Sequence, residues 1–105
     1  MAIPQDAIAS PFFHVFMVDE AKITVPKKEF ALAIEAEGIG INSHYPCLVM
    51  DWQWFAGLCA SPVSTPNTKA FRDKSFNLLF HENYSNADVD DVIAAFKKVE
   101  SALIK

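Results

Sequence analysis

Glycine is scarce in this sequence: three in 105 residues, placed so that neither GxGxxG nor GxxxxGK(S/T) can be written. A backbone cradle for phosphate of the dinucleotide or P-loop kind is therefore not expected. Cysteine is scarcer still. Cys47 and Cys59 stand twelve positions apart, too few for a disulfide scaffold and without the CxxC or HxxxH spacing of a zinc site. No metal site is predicted, and two thiols without a secretion signal predict a reducing, cytoplasmic setting. Positive charge is in deficit. Nine Lys+Arg face thirteen Asp+Glu for a net charge of −4, so broad attraction to a phosphate backbone is missing and no nucleic-acid partner is expected. The apolar run Phe12–Val18 is far shorter than a membrane span and follows no basic n-region, so neither an anchor nor a signal peptide is expected.

Apolar surface, by contrast, is plentiful. Hydrophobic residues make up 51% and aromatics 12%, enough to bury a core, and the length suits one domain over 1–105. Phe12 to Val18 is aromatic and β-branched and bounded by Pro11 and by Asp19-Glu20. It predicts a strand over 12–18 that is apolar on both faces apart from His14, and such a strand wants cover on both sides. Thr24 offers an N-cap and Pro26 a first helical turn. Phe30, Ala33, Ile34 and Glu37 then recur at helical spacing until Gly38, which predicts a helix over 25–37. Ile39 to Tyr45 alternates up to Pro46, a second strand over 39–45.

The stretch 46–66 carries three prolines, Trp52 and Trp54, and no regular period. It predicts a long irregular loop with a helical turn somewhere in 51–58, and long loops of this kind are usually functional or in contact with something. Asn67–Lys74 predicts a short helix capped by Asn67, and Ser75–Phe80 a third strand over 75–80. Ser85 and Asp88 have capping-box spacing ahead of the stripe Val89, Val92, Ile93, Phe96, Val99 and Leu103, which predicts a helix over 86–103. Together these elements predict an α/β (α+β) two-layer sandwich, with about three strands under two main helices.

Few residues invite chemistry. His44 and Tyr45 end the second strand, where α/β proteins place ligand groups, and they read equally as a packed strand-end pair. His81, beside Glu82, reads as a solvated turn or a general base. His14 reads as a hydrogen-bonded core or interface histidine. Arg72, the only arginine, can clamp a carboxylate or phosphate through its planar fork, or simply pair with Asp73 or Glu82. Trp52, Trp54 and Phe55 either cover a small core or face a partner. Cys47 reads as a small buried residue, and a Cys47–His81 nucleophile pair is the weaker alternative. Lys22, Lys27, Lys28, Lys69, Lys74, Lys97, Lys98 and Lys105 fall in loops, on helix surfaces or at the chain end, and none is expected in a buried pocket.

Three blocks in order carry a family resemblance. KEFALAIEAEGIGINSHYP, from Lys28 to Pro46, resembles the helix–Gly–strand–HYP segment of the DegT/DnrJ/StrS family of fold-type-I aminotransferases. SPFFHVFMVDE resembles the strand before it, and SFNLLFHENYSNADVDDVIAAFKKVE the closing strand, loop and helix; together they span residues 10–103. Cys47-Leu48-Val49-Met50 departs from the "PLH"-like continuation of many relatives, and Phe80-His81 from their "LP" turn. The resemblance is to the C-terminal small domain alone. It implies a parent enzyme that uses pyridoxal phosphate as an electron sink to aminate a keto-sugar or related ketone from an amino donor. It implies too that the large domain, which carries the Schiff-base lysine, lies elsewhere, so this chain binds no cofactor by itself. By resemblance His44 and Tyr45 lie on the substrate side, and Trp52, Trp54, His81 and Arg72 near the cleft or an interface. The implied partners are the large domain or a second subunit, with self-association through exposed apolar surface. The alternative is a free-standing α/β module that binds a protein or metabolite.

Overall fold

The computed structural model describes residues 4–8 and 10–105. Three strands, β1 (His14–Met17), β2 (Ile41–Asn42) and β3 (Ser75–Leu78), form one antiparallel sheet in the order β1-β3-β2. Two main helices, α1 (Lys27–Ala36) and α4 (Asn86–Leu103), cover one face. The expected two-layer α/β arrangement is present, with shorter strands than the 12–18, 39–45 and 75–80 read from the sequence. The segment 46–66 is less irregular than its composition predicts. It holds a 3₁₀ turn at Val49–Asp51 and a one-turn helix α2 (Gln53–Ala56), then leads into α3 (Pro66–Lys74).

Side-chain alternation sets the layers. Phe16 pairs across to Phe76, and Ile41 to Leu78, so these point toward the helices. Phe76, 1% exposed, is the centre of the core, with Phe30, Ala31 and Ile34 of α1 and Val99 of α4 packed around it. Met17, Val15, Ser75 and Asn77 point the other way; Met17 and Val15 are exposed. The prediction that β1 is apolar on both faces apart from His14 holds, and within this chain only the helix side of β1 is partly covered, through Phe16.

Helix ends follow local chemistry with two exceptions. Gly38 takes φ 90° just past α1, a left-handed conformation that ends a helix cheaply only at glycine. Ser85 and Asp88 close a complete capping box on α4. Thr24, however, does not cap α1. Its hydroxyl donates to the Leu103 carbonyl (3.0 Å), and the first amide of α1, on Lys27, donates instead to Glu20 Oε1 (2.7 Å). Asn67 does not cap α3 either; Pro66 takes the first helical position and Thr65 precedes it without a side-chain bond. The end of α4 is fastened to the segment before α1 by Thr24 N–H on Leu103 and Lys105 N–H on Lys22. Among the described residues no helix is long and apolar enough to cross a membrane.

The hydroxyl and amide of Ser85 donate to the Asp88 carboxylate (2.6 and 2.7 Å) and hold its pKa below the usual aspartate value, the side-chain bond contributing most. A carboxyl depressed in the folded state adds stability that is full above its unfolded pKa and lost as pH falls through its folded pKa. Ser85→Ala is expected to cost about 1 kcal/mol at pH 7. The difference from wild type should narrow on acidification below pH 4, as followed by thermal unfolding.

Candidate functional site

At the end of β2 the chain leaves the sheet through Ser43, His44 and Tyr45. Asn42, the last strand residue, turns its side-chain oxygen onto the His44 amide (3.2 Å). The carbonyl of Ser43 accepts from Lys27 Nζ at 2.8 Å. Lys27 is only 4% exposed, which corrects the expectation that every lysine lies at the surface. The signal was in the sequence: Lys27 occupies the first place of the stripe 27, 30, 31, 34, whose other members are the core residues Phe30, Ala31 and Ile34. Its charge hid it, because lysine is rarely buried.

Arg72, on the last turn of α3, reaches the same end of the sheet. Its Nε donates to Asp73 (3.1 Å) and its Nη1 to Asp51 (3.3 Å), and Lys69 also pairs with Asp51 (3.1 Å). Of the two expected partners, Asp73 or Glu82, Asp73 is the one present, and Asp51 of the 46–66 segment joins it. The pairing straps that segment to α3. Hydrogen bonds from Lys69, then Arg72, hold Asp51 below the usual carboxylate range. Burial, then the positive charges of Lys27 and Arg72, lower the pKa of His44, with Asp73 opposing. His44 is therefore neutral at pH 7, with one ring N–H to donate and one lone pair to accept.

Beside this cluster, on the sheet face away from α1 and α4, lies an apolar groove of about 210 Å³. Phe13, Val15, Tyr45, Leu48, Phe71 and Arg72 line it. It is smaller than the usual ligand pocket, about 300–1,000 Å³. Leu48 is buried there, whereas Cys47, expected to be buried, is exposed. The rings of Trp52 and Trp54 meet tilted at 5.5 Å, and Trp54 stays 61% exposed, so the tryptophans do not close over a core.

His81 belongs elsewhere. Asn42 pairs with Asn77 and Ile41 with Leu78, so the chain beyond Leu78 leaves the sheet at the end opposite His44. There His81 Nδ1 accepts the Asn83 amide (3.2 Å), and its ring meets Tyr84 edge-on at 4.7 Å. Cys47 leaves from the His44 end, so Cys47 and His81 form no nucleophile pair. His14 is exposed, against Phe16 at 5.0 Å, and is not a core histidine. Among the described residues no three His, Cys, Asp or Glu are grouped to hold a metal ion.

Because protonated His44 is disfavoured in the folded chain, its midpoint in an NMR pH titration is expected below 6.5. The sign for stability follows. The unfolded chain binds its proton at higher pH, so folding weakens as pH drops through the interval between the two values. His44→Gln should flatten that part of the stability–pH profile.

A family model described as the DegT/DnrJ/EryC1/StrS aminotransferase family matches residues 2–97. No curated protein matches the chain. The matched span takes in all three strands, the Lys27–Ser43 contact, His44, Arg72 and His81, and most of α4. With nearly the whole length matched, the chain belongs to the DegT/DnrJ/EryC1/StrS aminotransferase family.

Proposed function

We propose that this chain is the C-terminal small domain of a pyridoxal-phosphate-dependent aminotransferase that aminates a keto-sugar or related ketone, and that it is catalytically incomplete by itself. One observation carries the reading: the buried lysine has its ammonium on a backbone carbonyl, Lys27 Nζ on Ser43 O. An amine that forms a Schiff base must be free, desolvated and facing a cavity. Lys27 lines neither the apolar groove by Tyr45 nor the cavity between β1 and α4.

The remaining groups fit the cofactor no better. Asp51 and Asp73, the carboxylates near Lys27 and His44, are committed to Arg72 and Lys69. The amides that would meet a phosphate are taken at α1 by Glu20 and at α4 by Ser85. The residues present do not make a pyridoxal phosphate site. In this reading a large domain or a second subunit supplies the lysine and the cofactor.

The part left to this chain is recognition. His44 stands at the strand end, exposed and neutral, able to donate to one hydroxyl and accept from another, as a polyol requires. Tyr45 follows it along the rim of the apolar groove. Val15 and Met17 on the open sheet face, with Trp54 and Leu58 on the loop, are exposed apolar surface of the kind a packed domain covers. Unpartnered, the same surface supports self-association. A stand-alone binding module is the second reading, and the exposed Trp52–Phe55 cluster favours it.

An immunoblot of source cells with antibody to this chain separates the two. A band several times larger is expected. A band at this chain's own size, with no lysine-bearing partner co-purifying, overturns the aminotransferase reading in favour of the binding module. In the complete enzyme His44→Ala is expected to lower kcat/KM about 10–100-fold, the loss of a substrate hydrogen bond of about 1.5–3 kcal/mol. Unchanged turnover would remove His44 from the substrate side.

A further inference from the structure

We propose that Lys27 is a positioning residue: its ammonium and the side chain of Asn42 grip opposite ends of the Ser43–His44 peptide and so set the direction in which His44 and Tyr45 leave the sheet. The Ser43 carbonyl accepts from Lys27 Nζ at 2.8 Å, and the His44 amide donates to Asn42 Oδ1 at 3.2 Å. These two groups belong to one planar peptide unit, so holding both fixes the plane and leaves the backbone little freedom to swing His44.

The placement of Lys27 is costly on two counts, and the contact with Ser43 is what offsets them. It occupies the first position of α1, where the helix dipole favours negative charge and disfavours positive charge. It is also removed from water, which penalises an ammonium; burial is the leading cause that lowers its pKa. A residue kept only to fill the stripe with Phe30, Ala31 and Ile34 would be apolar. Lys28, one position on, meets no such constraint and is exposed. Lys27 is itself anchored, because its amide donates to Glu20 Oε1 at 2.7 Å. The connection therefore runs from Glu20 through the start of α1 to the end of β2.

The same charge acts on the imidazole. Lys27 and Lys28 on α1 and Arg72 on α3 disfavour a proton on His44, Asp73 on α3 favours one, and burial adds to the first group. Lys27 thus holds His44 in place and in its neutral form, with both a donor and an acceptor to offer. The value of this to a substrate rests on His44 being the substrate-side group proposed above; the geometry does not.

The test is NMR on this 105-residue chain and two variants. Lys27→Met keeps an unbranched apolar stem, one atom shorter, and removes the charge, and Lys27→Arg keeps the charge. In Lys27→Met the His44 titration midpoint is expected to rise, and the amide shifts of Ser43 to Tyr45 to move, while those of α4 hold. Lys27→Arg should retain the low midpoint. A folded Lys27→Met chain with the wild-type midpoint and wild-type Ser43–Tyr45 shifts overturns the proposal. If Lys27→Met does not fold, the wild-type chain decides. A through-hydrogen-bond coupling between Lys27 Nζ and the Ser43 carbonyl carbon supports the proposal, and its absence overturns it. Neither readout involves a substrate, so failure here is distinct from failure of His44→Ala to reduce turnover in the complete enzyme.

Discussion

Phe76 lies on the central strand and meets every layer of the fold. Its ring stacks on Phe16 of β1 at 5.5 Å and on Phe96 of α4 at 6.1 Å, while Phe30 of α1 tilts toward it at 6.4 Å. Phe16 and Phe96 also meet each other at 4.7 Å. Aromatic rings bring large buried area together with preferred geometry. This cluster therefore fixes the registration of sheet and helices as well as their association. Glu37–Lys98 (2.6 Å), which ties α1 to α4 at the surface, adds little beside it, since exposed ion pairs contribute little.

With β3 held from the helix side, its alternate residues are committed to the other face. Ser75 and Asn77 are buried there by Leu48 and the start of the 46–66 segment, but Val15 and Met17 on the edge strand stay exposed. The two faces of one small sheet thus have different fates. The helix face carries the core, centred on Phe76, with Phe16 half-buried at its edge. The other is partly roofed by a segment whose own attachment is polar, through Asp51 to Arg72 and Lys69. That division suits a domain whose second face meets something larger, and the same end of the sheet carries His44 and Tyr45.

Much of this was legible beforehand. The helix over 86–103 with its Ser85–Asp88 cap, the helix ending at Gly38 and the three strand positions came from local signals: a stripe, a cap, a left-handed glycine, alternation. These signals are local because each concerns residues within about one turn or one pleat of each other. The misjudged positions share a different property. Thr24 has the right chemistry for a cap, but Leu103, far along the chain, claims its hydroxyl, and Glu20 claims the helix start. Asp51, which the sequence did not suggest, joins the expected Asp73 on Arg72 because the 46–66 segment reaches α3, whereas Glu82 lies past the far end of β3.

The amino-acid order by itself determined a small α/β fold with an apolar core, helices read at 25–37 and 86–103, and the HYP segment that aligns it with its family, because periodicity, capping and motif are written in near neighbours. Tertiary structure alone decided that His44 and His81 stand at opposite ends of the sheet, that one face is left open, and that Lys27 is buried against Ser43. The reason is the antiparallel order β1-β3-β2. Crossing from β2 to β3 reverses the chain direction, so residues that follow similar strands in the sequence emerge at opposite edges. A lysine's burial likewise depends on what packs over it, and here that is the end of a strand sixteen residues away.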